Sequence, residues 1–216
     1  MQAETVRPYT KEDRQAVRAI AWQTAFMGGP ASVFFDDEEL LADLLTSYFT
    51  DHEPQSCFVV EDSGEVAGYI TGSTYVRRLN MVFFFEILPR LALKAFFRAA
   101  LLNKKNFAFL LALAKSFLNG EFAAPDLSRE YPATLHINLK EGARRKGLGS
   151  KLMHAYLGYL FDKKVAGVHM ATMSEKGASF FKKEGFGVLH VQERTYLKHI
   201  TGGNTRVYIF GKKITL

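Results

Sequence analysis

The stretch Ala143-Arg-Arg-Lys-Gly-Leu-Gly-Ser-Lys-Leu152 joins a strand-like run, Pro132 to Leu139, to a segment of helical spacing. Gly147 and Gly149 let the backbone turn tightly and approach a ligand with no Cβ in the way. A helix that begins beside them aims unpaired N–H groups and the positive end of its dipole outward, which outlines a phosphate site. Two better-known phosphate loops are excluded. Gly142 and Gly147 have the nucleoside-triphosphate loop spacing, but Leu148-Gly149 stands where Lys-Ser/Thr is required. A dinucleotide fingerprint needs a third small residue after Gly147-x-Gly149, and Leu152 occupies that place.

What remains, Arg144-x-x-Gly147-x-Gly149 between strand and helix, resembles the pyrophosphate-binding motif A of the GCN5-related N-acetyltransferase (GNAT) superfamily, where this loop holds coenzyme A. The downstream chain extends the resemblance. A second strand-like run, Ala166 to Met173, precedes Glu175-Lys-Gly-Ala-Ser-Phe-Phe-Lys-Lys-Glu-Gly-Phe186, which looks like the family's next helix and its closing "FY-x-x-x-GF" signature. Leu135-His-Ile-Asn-Leu139, with Gly167-Val-His-Met170, is similar to acetyltransferase-like domains found beside O-GlcNAc hydrolases and to their free-standing bacterial relatives. The resemblance is concentrated in 132–187.

It implies an α/β fold: a mixed, mostly antiparallel sheet with a central parallel strand pair flanked by helices. It implies acetyl-CoA or another acyl-CoA as cofactor, and direct transfer to a primary amine of a small molecule or peptide. A different class stays open: a weak or inactive acetyltransferase-like module that binds coenzyme A, a protein or a sugar. By the resemblance, backbone N–H groups from Arg144 through Leu148 to Ser150 take the pyrophosphate, Arg144, Arg145 and Lys146 add charge, and backbone at Asn138 and Leu139 pairs with the pantetheine arm. The Leu139 N–H would face the thioester carbonyl if the two parallel strands splay there. Glu175, Ala178 and Phe181 fall at cofactor-contacting positions. Glu175 stands where many relatives carry asparagine, and Phe181 replaces the tyrosine held to protonate the departing thiolate.

His136 and His169 lie near the ends of adjacent parallel strands, where ligands bind in open α/β sheets, and an imidazole suits proton removal. The alternative for each is a satisfied core residue. Tyr131 and Tyr196 are further candidates for proton donation by proximity alone. Trp22, with Phe26, is expected to pack the first helix against the sheet. No metal site is expected: Cys57 is the only cysteine, and the remaining histidines lack partners at ligand spacing.

The chain has 216 residues, enough for one domain with a substantial core. Its formal charge is +6, with basic groups clustered at 77–105, 140–151 and 163–164. An anionic partner fits this balance, and coenzyme A fits the second cluster. No nucleic-acid module is recognisable. Met1-Gln-Ala-Glu-Thr5 lacks a basic start and apolar core, so no secretory signal and a cytoplasmic location are expected.

Thr5 to Tyr9 reads as a first strand, and Thr10 with Asp13 as a capping box opening a helix to about Met27. Gly28-Gly29-Pro30 breaks it, and Asp36 or Asp37 begins a second helix with Leu40, Leu41, Leu44, Leu45 and Tyr48 at helical spacing. Ser56 to Glu61 and Glu65 to Val76 alternate around Asp62-Ser-Gly64 as a hairpin. Roughly fifty residues then precede the central strand, too many for an unstructured connection. Val82 to Leu102 and Asn106 to Leu118 read as two helices, an insertion at about 80–120. Its charges interrupt every apolar run well short of the ~20 residues a membrane span needs. A lid over the site, a homodimer interface and an interfacial membrane helix compete for its use. From 133 the order is strand, loop, helix, strand, helix, with a final hairpin turning at Gly202-Gly203-Asn204.

Overall fold

The computed structural model of the protein describes residues 4–215. Met1 to Ala3, on which the reading of the N-terminus partly rests, lie outside the described residues. Seven strands form one sheet in the order β1-β2-β3-β4-β5-β7-β6: β1 Thr5–Pro8, β2 Phe58–Asp62, β3 Glu65–Ser73, β4 Ala133–Leu139, β5 Gly167–Thr172, β6 Gly187–Arg194 and β7 Thr205–Lys213. Every adjacent pair is antiparallel except β4 with β5. That pair is parallel because its connection is a full crossover through α6, Leu148–Asp162.

Alternation along β4 and β5 divides the sheet's two faces. Leu135, Val168 and Met170 point to one side, where Leu148, Leu152, Met153, Tyr156 and Leu160 of α6 and Ala178 and Phe181 of α7, Glu175–Lys183, bury against them. On the other side α1, Arg14–Thr24, sets Val17, Ile20 and Ala21 against Val59 and Tyr69. The Asp13 carboxylate takes the Thr10 N–H at 2.8 Å and an Arg7 guanidinium at 2.7 Å, so the expected capping box is also an ion pair to β1. Helix α2, Glu38–Ser47, is capped by Asp37 through Leu40 N–H. Trp22 and Phe26 face a third cluster, with Phe34, Phe109 and Tyr196, and not the sheet as expected.

The connection from β3 to β4 departs from the expected bounds. Strand β3 ends at Ser73, and the segment expected to extend it to Val76 instead starts α3, Val76–Val82. The reason is Glu53, whose carboxylate takes the Thr74 N–H at 2.8 Å and hydroxyls of Thr74 and Ser73, turning the chain off the sheet. A π-turn, Phe83–Ile87, leads straight into α4, Leu88–Phe97. Pro89 cannot donate to the preceding turn, and the wider turn absorbs the lost bond. A short 3₁₀ turn, Ala100–Leu102, and Asn103 as N-cap then open α5, Lys104–Leu118. One more short helix, α8 Lys198–Thr201, was not expected.

Candidate cofactor and active site

Strands β4 and β5 pair at only two positions, Ala133 with Val168 and Thr134 with His169, and then part. The Lys140 N–H bonds Ala67 O on β3 at 2.9 Å. Alternation therefore turns the N–H groups of Leu139 and Ile137 to the opposite edge, into the widening gap. The gap ends at the N-terminus of α6, so a groove with backbone donors along one side runs into a helix terminus.

The closed end of this gap is locked by buried polar groups. Tyr156 Oη donates to Thr134 O at 2.8 Å, and Ser56 Oγ donates to Gly72 O. The Glu53 carboxylate also accepts from Tyr48 Oη at 2.9 Å. Gly72 is required here, since a Cβ would lie 2.0 Å from Tyr156 Oη. Glu53, Tyr48 and Ser73 carried no signal in the sequence, because the partners stand 5 to 25 residues apart and meet only when the sheet forms.

At the open end, Gly147 has φ +81° and caps α6, and Arg145 is also left-handed at φ +63°. The N–H groups of 145–150 find no acceptor among the described residues; the first helical bond is Lys151 N–H to Gly147 O. A Cβ at Gly147 would meet nothing within 4 Å, so the cradle is open above that residue. Consecutive unbonded N–H groups in mixed αR and αL conformation make an anion nest, and the helix dipole adds to it. This geometry fits a pyrophosphate. Gly149 packs beneath, where a Cβ would approach the Phe180 ring at 3.2 Å. Leu148 is fully buried, and Ser150 Oγ donates to Glu184 Oε1 at 2.5 Å.

The loop's cations are differently placed. Arg144 crosses the groove mouth, donating to Leu139 O at 3.1 Å and to Gly28 O at 2.7 Å in the α1–α2 loop. Lys146 pairs with Asp62 at 2.8 Å, which raises the ammonium pKa. Arg145 is exposed and enters no ion pair among the described residues.

His136 and Asn138 share the face that looks toward α1 and α2. Asn138 Nδ2 donates to Tyr69 Oη at 2.9 Å. His136 is exposed, with the Phe49 ring edge-on at 5.5 Å, and desolvation by the protein beside it lowers its pKa. It is therefore neutral near pH 7, with a lone pair to offer. His169 occupies the closed end, half-buried, with Nδ1 2.7 Å from Tyr131 O. A carbonyl can only accept, so Nδ1 carries the proton and Nε2 the lone pair. Burial lowers this pKa too.

Tyr131 also lies at the closed end, under the Lys213 ammonium at 4.5 Å, and Tyr196 Oη meets Met173 Sδ at 3.3 Å in the third cluster. Phe181 is 3% exposed between Phe186 and Phe210, with centroids at 5.6 and 5.9 Å. Ala178 is buried beside it, and Glu175 accepts from Tyr208 Oη at 2.9 Å. Cavities of about 190 Å³, between α1, α2 and α4, and about 380 Å³, beside α5, both lie away from the loop 143–150. No group of three or more His, Cys, Asp or Glu able to hold a metal occurs among the described residues.

Comparison with known proteins agrees with this architecture. The crystal structure of SsHAT superposes with a TM-score of 0.74 at 24% identity, covering 100% of both chains. A GNAT superfamily phosphinothricin acetyltransferase from Sinorhizobium meliloti in complex with acetyl-CoA gives 0.58 at 16% identity over 98% of this chain and 89% of that one. The ribosomal-protein-S18-alanine N-acetyltransferase from Escherichia coli gives 0.56 at 14% identity over 99% and 96%. No curated protein matches the chain. The profile of the Acetyltransferase (GNAT) family matches residues 15–186, which is most of the sequence, and the chain belongs to that family.

Proposed function

We propose that this protein is an acetyl-CoA-dependent N-acetyltransferase that acts on a primary amine by direct transfer. The observation that carries the reading is the row of unbonded N–H groups at 145–150, placed where the gap between β4 and β5 runs out. When bound, acetyl-CoA supplies an acetyl group activated as a thioester.

The residues of this chain divide the remaining work. The N–H groups from Arg145 to Ser150 hold the pyrophosphate, with charge from the free Arg145 guanidinium. The N–H groups of Ile137 and Leu139 hold the pantetheine arm and stabilise the carbonyl oxygen as it gains charge. His136, neutral and accessible, takes a proton from the amine. His169 Nε2 is a second acceptor on the same sheet face. Phe181 has no proton to give, so the thiolate, only modestly basic, leaves without help from that position.

One observation favours a second reading, a module that binds coenzyme A without efficient turnover: the Phe181 ring is sealed in the core and brings no hydroxyl to the groove. Calorimetric titration with acetyl-CoA, coenzyme A and dephospho-coenzyme A separates the readings when followed by an amine screen. Saturable micromolar binding with transfer to an amine supports the enzyme. Binding without transfer to any amine supports the module. Absence of binding by the folded protein overturns both.

A further inference from the structure

The helical segment 76–118 turns an apolar surface away from the protein. Its inner side is satisfied. Leu91, Ala95, Phe109 and Leu113 pack with Phe34 and Leu41, while Lys94, Arg98 and Lys105 pair with Asp43, Asp37 and Asp36 at 2.6 to 2.7 Å. The outer side is apolar at helical spacing. Along α3, the π-turn and α4, Met81, Phe85, Leu88 and Phe96 are 62%, 81%, 42% and 75% exposed, and Leu102 in the following 3₁₀ turn is 85% exposed. Along α5, Phe107, Leu111 and Leu118 are 53%, 46% and 83% exposed.

Charge selects what covers this face. Lys104 and Lys115 continue the α5 stripe at the spacing 104, 107, 111, 115, 118; both are exposed and unpaired among the described residues. Of the eight basic residues in 76–118, Lys94, Arg98 and Lys105 pair with aspartates of the protein body, Arg77 with Asp126 and Arg90 with Glu86, which leaves Arg78, Lys104 and Lys115 outside any ion pair among the described residues. A second copy would set cations against cations, whereas an anionic lipid surface meets both features. No helix among the described residues is long and apolar enough to cross a membrane.

We propose that the outer face of 76–118 lies flat on an anionic phospholipid surface, with its Phe and Leu side chains at the headgroup and acyl boundary and Lys104 and Lys115 among the headgroups. The test is co-sedimentation of the full chain with vesicles of phosphatidylcholine alone or with about one part in four phosphatidylglycerol. Binding is expected to be at least about ten-fold tighter to the anionic vesicles and to weaken several-fold in high salt. The Phe96→Ser/Leu102→Ser and Lys104→Gln/Lys115→Gln variants alter only exposed side chains and should keep the wild-type circular dichroism. Each is expected to lose about ten-fold or more of the binding. Absent binding, or equal binding to both vesicles, overturns the proposal. So does a dimer in sedimentation velocity that the Phe96→Ser/Leu102→Ser variant dissociates, because the face then belongs to a second copy.

Discussion

Tyr156, on the buried side of α6, donates to the main-chain oxygen of Thr134 at 2.8 Å, and Thr134 is the last β4 residue paired with β5. The helix whose N-terminus forms the anion nest is thus tied, two turns further on, to the point where the strands begin to part. One rigid element fixes both ends of the groove.

Tyr156→Phe removes that donor from the part-buried Thr134 oxygen. Denaturant unfolding should show a loss of about 1–3 kcal/mol. Gly72→Ala should cost at least as much, because its Cβ would stand 2.0 Å from Tyr156 Oη and 2.6 Å from Thr134 O. Unchanged stability in both variants would refute the lock.

At Gly147 the requirement is conformational, since a Cβ there meets nothing. Gly147→Ala should cost about 1 kcal/mol of stability through its positive φ and weaken binding of coenzyme A by placing a Cβ in the cradle, whereas Gly147→Glu adds negative charge to the nest and should abolish it. Calorimetry on both variants checks the contrast. Retained affinity in Gly147→Glu would show that the phosphates bind elsewhere.

His136→Ala should leave cofactor affinity within a few-fold and slow transfer by about 10² or more. The pH profile carries a sign. A base must be neutral to act, and desolvation lowers the His136 pKa from its ordinary 6.5. The acidic limb of kcat/KM should therefore fall only below the usual imidazole range. A limb centred above 6.5 would point to another group.

Cys57 is 1% exposed, and burial pushes its thiol pKa up to about 12. The folded protein should resist a thiolate-directed reagent such as an aromatic disulfide, and the denatured protein should react with one equivalent. Fast labelling of the native state would contradict the packing around β2.

The conformation of the 143–150 turn was legible because its information is local. Glycine at 147 and 149, a strand before and a helix after define a left-handed turn and a helix terminus through neighbours in the chain. The order of strands and helices from 133 onward was legible for the same reason, apart from the short α8 before β7. The boundary at Ser73 was not, since Thr74 and Val76 have strand propensity and the chain leaves the sheet only because Glu53 captures Thr74 from 21 residues away. The π-turn before Pro89 shows the same limit: the proline was visible, but the continuous helical run from Val76 to Phe97 was not.

By itself the sequence determined the family resemblance, the nest and the direction of the crossover, because each depends on residues within one strand–turn–helix unit. Tertiary structure alone decided that β4 and β5 pair at two positions and then part, that Phe181 is sealed among Phe186 and Phe210, and that Arg144 spans the groove to Gly28. These depend on side chains far apart in the chain competing for one space, and no periodicity records which of them occupies it.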